Sequence, residues 1–592
     1  MKKFLCVMLT AAMLLGMVPG LAEEALKDGT YTGVGKGMHS NIAVTVDVKD
    51  GKIASVVVDS QDDTPGVCEP ALENIPKAIV EANSADVEAV AGATLTSEGI
   101  KEAVRNALAG GQEGEEAAET ELTLEPDMIV VGSGLAGMTS AVHGAELGLN
   151  VLVLEQSVRT GGCTYFAGGT VNGAGFKIQK ENGVEDTPEA FYQDIQKLGG
   201  KGEFNEALAK TYTENAGRAV DWLDEDIGVD FADRTLVGGA YTAMDTPRVT
   251  RALGSYARGA AQGFYKPLSA RLDEAIAEGK VQVMYNSKVT EILVDGDRCV
   301  GVKVGDREFR APSVVLATGG YAHNEELVKL SGFENVISSA PSTSNGSGAE
   351  MALALGGVID NADKIVSYYG GGVPTDGFEM LYQLNSRYVG PIYVNSDGDR
   401  VGAEDHALSS MWMDAKENKL YSILSGNMID KEQSYLNSST AQKLPDNGWE
   451  KLEELAAAEN CVIKADTLEE LAEKVNMPNL VETVKAYNEG VEQGEDAFGR
   501  SVESMAKLEE GPFYAVTTVP YVWSGVSGGV RANGEGYLER EDGSVITGLS
   551  LAGEILGPSN ILGNINFGGI NHGMCVTWGM IAAENAAKLA GK

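Results

Sequence analysis

The residues with the clearest chemical use lie between Asp127 and Gln156. Gly132, Gly134 and Gly137 stand at G-x-G-x-x-G spacing, and Glu155 closes the stretch. A glycine at the first position permits a tight turn. At the second it lets backbone approach a pyrophosphate, and at the third it lets a helix pack closely on a strand. The intervening Ser133, Leu135 and Ala136 bring backbone N–H groups to a helix start, where unpaired donors and the helix dipole hold phosphate charge. A carboxylate placed like Glu155 accepts the hydrogen bonds of a ribose diol. The elements that must position these groups are legible around them. Met128 to Val131 is a short apolar run suited to a buried parallel strand. Leu135, Met138, Ala141, Val142, Ala145 and Leu147 recur with helical spacing, and Val151 to Leu154 is a second apolar strand. A lone glycine motif reads equally as a glycine-rich turn. Strand, glycines, helix, strand and acid in this order read as dinucleotide binding.

Further glycine clusters follow. Gly161, Gly162, Cys163 and Thr164 precede Ala167, Gly168, Gly169 and Thr170. The apolar run Val314–Ala317 ends on Thr318, Gly319 and Gly320. Near the C-terminus come Ala552-Gly553-Glu554 and Asn566-Phe567-Gly568-Gly569. Taken together these motifs resemble the FAD contacts of the fumarate reductase and flavocytochrome c family of flavoproteins. The resemblance implies a Rossmann-like, doubly wound α/β FAD-binding domain over 125–364 and 514–592. An α+β capping or clamp domain over 365–513 would be inserted in it, with substrate between clamp and flavin.

An N-terminal module over 23–109 carries a second set. Ile42 to Val48 and Ile53 to Asp59 alternate apolar and polar around the hairpin signal Lys49-Asp50-Gly51-Lys52. Helical patterns follow at 71–82 and 98–108, the second with Ser97 as N-cap. The segment Gly92-Ala93-Thr94 before that helix resembles the attachment site of FMN-binding domains, in which the threonine is esterified to the FMN phosphate by a dedicated flavin transferase. The resemblance implies covalent FMN on Thr94 in a small α+β domain, with Thr96 as the alternative site. The chain departs from that pattern at Glu88, where Asp is usual, and at Ala91, where Ser or Thr is usual. Between the modules, 110–124 is rich in Gly, Ala and Glu and reads as an extended acidic linker.

Within the expected clamp, Val394-Asn395-Ser396-Asp397-Gly398-Asp399-Arg400 resembles the family's V-N-x-x-G-x-R run. Counting from it, the family's proton-donor arginine falls at Leu408; the carboxylate-binding arginine, which the family places before L-G-G, falls at Asn566, and the substrate histidine, before M-G-G, at Gly525. Three charged positions are thus neutral here, and an unpaired carboxylate in a desolvated pocket costs several kcal/mol. Fumarate is therefore the wrong substrate, and the likeness runs to the urocanate- and cinnamate-type extracellular ene-reductases. Arg387 matches an arginine of the family's proton-delivery path, and Tyr388, Asp405 and His406 lie near it in sequence. A protonated Arg or His there would donate to the substrate α-carbon. The plainer readings are an ion pair for Arg387 and an exposed loop histidine for His406. Tyr368, Tyr369, Tyr382, Tyr388, Trp412 and Trp523 suggest an aromatic pocket, and His572 lies where the family places the flavin's pyrimidine end.

Composition sets the outer bounds. The chain has 592 residues, 43% of them apolar, and a formal net charge of −40. That charge argues against nucleic acid as a partner. Met1 to Ala22 reads as a secretory signal: Lys2 and Lys3, an apolar core, then Gly20-Leu21-Ala22. The remaining cysteines, Cys68, Cys163, Cys299, Cys461 and Cys575, are scattered, with no C-x-x-C, no haem-attachment motif and no zinc-ligand spacing. The reading is an extracytoplasmic reductase of the cell envelope. Electrons from a membrane donor would pass through FMN to non-covalent FAD, then to an α,β-unsaturated monocarboxylate or enone in anaerobic respiration. A dehydrogenase of the 3-ketosteroid type, running the flavin in reverse, and a non-enzymatic electron-transfer flavoprotein are the alternatives.

Overall fold

The alternation in the first module builds a three-stranded antiparallel meander, β1 (Gly29–Lys36), β2 (Asn41–Lys49) and β3 (Lys52–Ser60). The computed structural model describes residues 26–63, 68–109, 121–166, 170–231, 236–237, 252–254, 263–333, 335–338, 340–364, 391–404, 410–413, 415–426, 448–459, 461–522, 526–563 and 569–592. Ile42, Val44, Val46 and Val48 of β2 point inward and are buried. They meet Ile75 and Ile79 of α1 (Glu69–Ala82) and Ile100 and Val104 of α2 (Thr94–Leu108) in one apolar cluster. β1 was not legible in sequence, because its glycines depress the strand signal. They are there for packing. A Cβ on Gly33 would lie 2.2 Å from the Ala103 carbonyl oxygen, and one on Gly35 would lie 2.1 Å from that of Gly99. The strand therefore lies directly on the backbone of α2.

The start of α2 corrects the expectation. Ser97 does not cap a helix beginning at Glu98; the helix begins at Thr94. Inside its first turn the Ser97 hydroxyl donates to the Ala93 carbonyl at 2.9 Å and accepts from the Val90 N–H at 3.1 Å. A serine that bonds back four residues satisfies the turn without ending it.

The chain divides into two compact units, the first built on these elements and the second holding the rest of the described chain from 121 onward. In the second unit, β4 (Met128–Val131) leads through α3 (Leu135–Glu146) to β5 (Val151–Leu154). These join β6 (Val281–Met284), β7 (Glu291–Asp295), β8 (Arg298–Val304), β9 (Ser313–Leu316) and β10 (Val545–Leu551) in a sheet ordered β7-β8-β10-β9-β4-β5-β6. The run β10-β9-β4-β5-β6 is parallel, with Val131 opposite Leu316 on one side and Leu154 on the other. β4, β5 and β9 are buried at every residue, as strands covered on both faces must be. The C-terminal helix α4 (Ile570–Ala590) packs along α3. Gly579 permits that approach, since a Cβ there would lie 2.8 Å from the Ala136 carbonyl oxygen.

Between Ile392 and Thr518 four strands form a separate antiparallel sheet, in the order Ile392–Val394, Leu420–Ser425, Phe513–Thr518, Val462–Ala465. One face covers Ile392, Val394, Leu471, Leu480 and Val484, and the other Leu424, Leu452, Leu455 and Tyr514. The sheet continues past 513, the expected end of the insert, to Thr518.

Candidate cofactor cleft

Gly132, Gly134 and Gly137 each meet a different constraint at the carboxyl end of β4. Gly132 has φ +95, and a Cβ would lie 2.6 Å from the Ala317 carbonyl oxygen. Gly137 leaves no room either, since a Cβ would lie 2.0 Å from the Gly132 oxygen. Gly134 differs. The nearest atom to an added Cβ is 4.0 Å away, so the space above it is open. Gly162, with φ +48, faces the same opening, its nearest neighbour being the Gly134 Cα at 3.7 Å. Thr164 ties the second glycine cluster to the first, accepting the Leu135 N–H at 2.9 Å through its hydroxyl. Gly161 donates to the Ser133 carbonyl at 3.0 Å.

These groups line an open cleft, together with Thr318, Gly319, Gly553 and Glu554. Glu155 is buried and largely engaged. Its Oε2 accepts from the Ser133 N–H at 2.8 Å and the Ser133 hydroxyl at 2.5 Å, and its Oε1 accepts from the Ser157 N–H at 2.8 Å. A carboxylate has about four acceptor positions. Three are filled, so Glu155 has room for one ribose hydroxyl rather than a whole diol.

At the opposite wall, Gly320 lies under the Glu554 carboxyl, whose Oε1 would be 2.1 Å from a Cβ there. Glu554 accepts the N–H of Val526 at 2.9 Å and that of Gly320, which holds the 526 loop against the end of β9. Burial pushes its carboxyl up to about 7, against the pull of those two N–H groups. Burial likewise pushes the thiols of Cys163 and Cys575, both on the cleft wall, up to about 12. His572, in the first turn of α4, bonds through Nδ1 to the Thr170 carbonyl at 2.6 Å, and burial holds its imidazole below the usual range. Gly569 caps that helix at φ +83, pressed against Val171.

The cleft fits a dinucleotide on its own terms. Two glycines leave open floor, and the Thr318 hydroxyl, a cleft-lining group, is buried with no hydrogen-bond partner. Sequence reasoning did not identify Gln156, Ser157, Ser287, Lys288, Thr343, Ser344 or Ser347 as cleft residues. Gln156 and Ser157 directly follow Glu155, whereas the others come from segments joined only by the fold, and no motif marks any of them.

In the first unit, Thr94 is exposed at the start of α2, whereas Thr96 is 1% exposed. Of the two candidate attachment sites, only Thr94 is open to a modifying enzyme. Ala167, Gly168, Gly169, Phe567 and Gly568 lie outside the described residues, as do Arg387, Tyr388, Asp405, His406 and the positions Leu408, Gly525 and Asn566. Tyr368, Tyr369, Tyr382 and Trp523 do too. Trp412 is described and is no pocket residue. It is fully buried, 5.7 Å from the Tyr393 ring, with its indole N–H donating to the Thr518 hydroxyl. Cys68, Cys163, Cys299, Cys461 and Cys575 are free. Among the described residues no group of three or more His, Cys, Asp or Glu is placed to hold a metal ion, and no helix is long and apolar enough to cross a membrane.

The profile of the FAD binding domain matches residues 127–571, and that of the FMN-binding domain matches 37–109. The NADH:fumarate oxidoreductase of Klebsiella pneumoniae (strain 342) is 29% identical over 98% of this chain and 60% of its own length. The NADH:acrylate oxidoreductase of Vibrio harveyi is 28% identical over 95% of this chain and 61% of its own. The chain thus spans about three fifths of each of these relatives. A flavocytochrome c3 fumarate reductase in its open conformation has a similar fold, with a TM-score of 0.57, 27% identity and 79% of each chain covered.

Proposed function

The chain belongs to the FAD binding domain family, and from that premise we propose that it is a flavin-dependent reductase of an activated C=C bond. The observation that carries this reading is the pairing in one chain of a cleft fit for FAD with an FMN-binding unit whose Thr94 stands exposed at a helix start. Such pairing suits electron delivery from an envelope donor, through FMN joined to Thr94 by a flavin transferase. The acidic linker at 110–124 serves as a tether between the units. The leader Met1 to Ala22 directs the protein out of the cytoplasm. The region 365–513, with its sheet completed to Thr518, is the clamp over the substrate.

The acceptor is an α,β-unsaturated monocarboxylate or an enone. Relatives named for fumarate and for acrylate show similar identity to this chain, so the choice rests on its own residues. Leu408, Gly525 and Asn566 offer no counter-charge where a second carboxylate would need one. When bound, FAD would supply the hydride chemistry for reducing the acceptor's C=C bond. The open floor at Gly134 and the first turn of α3 seat the pyrophosphate, and the Glu155 carboxylate takes one ribose hydroxyl. Glu554 fixes the 526 loop beside the cleft. Arg387 or His406, aided by Tyr388 and Asp405, delivers the proton to the α-carbon.

The test is anaerobic oxidation of reduced viologen by the flavinylated protein with fumarate, urocanate, cinnamates, acrylate-type acids and enones. Turnover of a monocarboxylate or enone without fumarate turnover is the expected result. Fast fumarate turnover overturns the substrate class. Flavin reduction by a saturated ketone, with no alkene accepted, moves the assignment to a dehydrogenase. Fluorescence of the denatured chain checks the FMN bond: it should vanish in Thr94→Ala and persist in Thr96→Ala.

A further inference from the structure

Gln156 lies two residues past the end of β5, and its side-chain amide reaches a segment far away in sequence. Its Nε2–H donates to the Thr343 carbonyl at 3.3 Å, 187 residues on. Its Oε1 accepts the Asn345 Nδ2–H at 3.1 Å. The surroundings fix which way both amides face. A backbone carbonyl only accepts, so Gln156 must turn its NH2 toward Thr343 and its oxygen toward Asn345. Asn345 Oδ1 accepts the Ser347 N–H at 3.1 Å, so its NH2 is the group left for Gln156.

Both anchors are themselves held. The Glu155 N–H donates to the Met284 carbonyl at 2.9 Å, and the Asn286 N–H to that of Ser157 at 3.2 Å, which ties 155–157 to the end of β6. Opposite, the His323 N–H donates to the Ser344 carbonyl at 2.9 Å, the Gly346 N–H to that of Gly320 at 3.2 Å and Asn324 Nδ2 to that of Asn345 at 3.1 Å. These bonds tie 344–346 to the segment after β9. Gln156 and Ser157 line one wall of the cleft, and Thr343, Ser344 and Ser347 line the other. Cys163 Sγ adds a weaker contact to the Ser344 hydroxyl at 3.5 Å.

Gln156 and Asn345 are both half-buried. Neutral hydrogen bonds that water can replace add little to the stability of a fold. What this pair specifies is the spacing of two walls, and walls held ready for a ligand lower the cost of binding it. The pair adjoins Glu155, the ribose acceptor, so the spacing it sets is that of the adenosine half. We infer that Gln156 and Asn345 form a clasp across the cleft that positions the adenosine half of FAD and sets how long FAD stays bound. This rests on FAD occupying the cleft.

The experiment uses the flavinylated full-length protein. Gln156→Met removes both bonds at nearly constant volume. Asn345→Asp keeps the acceptor for the Ser347 N–H and removes the donor to Gln156; turning the Gln156 amide to suit it would set oxygen against the Thr343 carbonyl. FAD release is followed as free FAD in the ultrafiltrate, which excludes flavin joined to the chain. Gln156→Met should release FAD about tenfold faster, as expected for two neutral hydrogen bonds lost. Asn345→Asp should match it, and the double variant should release FAD no faster than either single one, because the amides act as a unit. ADP carries the adenosine and pyrophosphate without the flavin. It should compete about tenfold less well for FAD uptake by cofactor-free Gln156→Met than by cofactor-free wild type. Without cofactor the variants should melt within about 2 °C of wild type. Leu424→Ala, in a buried core of the separate sheet, should lower the melting temperature without speeding release.

Unchanged release in Gln156→Met, additive effects in the double variant, or ADP competing as in wild type overturns the inference. So does a gain in release that Leu424→Ala reproduces, or a wild-type chain that retains no FAD. A wild-type protein that retains FAD but reduces no alkene overturns the functional reading instead, and the release rates still decide the clasp.

Discussion

Gly134 and Gly137 are the same residue type under opposite constraints, and substitution separates them. Gly137→Ala places a Cβ 2.0 Å from the Gly132 oxygen, so α3 must shift from β4. A loss of about 1–3 kcal/mol is expected in urea unfolding, as for other overpacked sites. Gly134→Ala meets nothing within contact distance in the protein. The cofactor-free chain should melt as wild type, while FAD retention on gel filtration drops, because the methyl group occupies the pyrophosphate's space. Glu554 adds a pH signature. Its carboxyl titrates near 7 when folded and near 4.5 when unfolded, so the folded state holds the proton more tightly. That contribution is complete below about pH 4.5 and is lost as pH rises through 7, up to about 3 kcal/mol in all. In the cofactor-free chain Glu554→Gln should flatten that slope, and an unchanged slope would refute the assignment.

Elements carry a second layer of argument. The first turn of α2 presents Thr94, and its placement depends on β1 lying against it. Gly35→Ala, with a Cβ 2.1 Å from the Gly99 oxygen, should separate strand and helix and abolish flavinylation even though Thr94 is intact. In the second unit α3, α4 and the helix Glu206–Glu225 meet at a charge cluster. Arg218 grips Glu584 with two bonds at 2.6 and 3.0 Å, and His143 lies between Glu146 and Glu584. Burial opposes ionisation of Glu584, but His143 and Arg218 outweigh it and hold the carboxyl down at about 2. Burial also favours neutral His143, yet the two glutamates raise its imidazole above the usual range. The Glu584 contribution is lost as pH falls from about 4.5 toward 2, and that of His143 as pH rises past its raised value. Glu584→Gln should therefore destabilise most near pH 5.5, by about 1–3 kcal/mol, read from urea midpoints.

For the whole molecule the dominant quantity is the formal charge of −40. A protein so acidic repels an anionic acceptor at long range, and salt screens that repulsion. The apparent second-order rate constant for a monocarboxylate should rise between low and physiological ionic strength, and that for a neutral enone should stay flat. Stopped-flow reoxidation across a salt series thus separates the two acceptor classes that the neutral positions Leu408, Gly525 and Asn566 leave open.

The dinucleotide unit was legible because its signals are local: glycines, an apolar strand and a helical stripe each show within a few residues of one another. The FMN-type hairpin was legible for the same reason. The start of α2 and strand β1 were not. Ser97 has the chemistry of a cap but bonds backward inside the turn, and the glycines of β1 serve a neighbour distant in sequence. Trp412 read as a pocket aromatic because composition near the clamp cannot tell a core indole from an exposed one. Glu155 read as a free carboxylate because its engagement with Ser133 and Ser157 depends on how β4 and β5 align. Sequence by itself determined that the chain carries an FAD-binding and an FMN-binding domain, since their motifs are local. Only the tertiary structure decided how many acceptor positions Glu155 has left and where Glu554 sits, because the first depends on strands aligned by the sheet and the second on Gly320, distant in sequence.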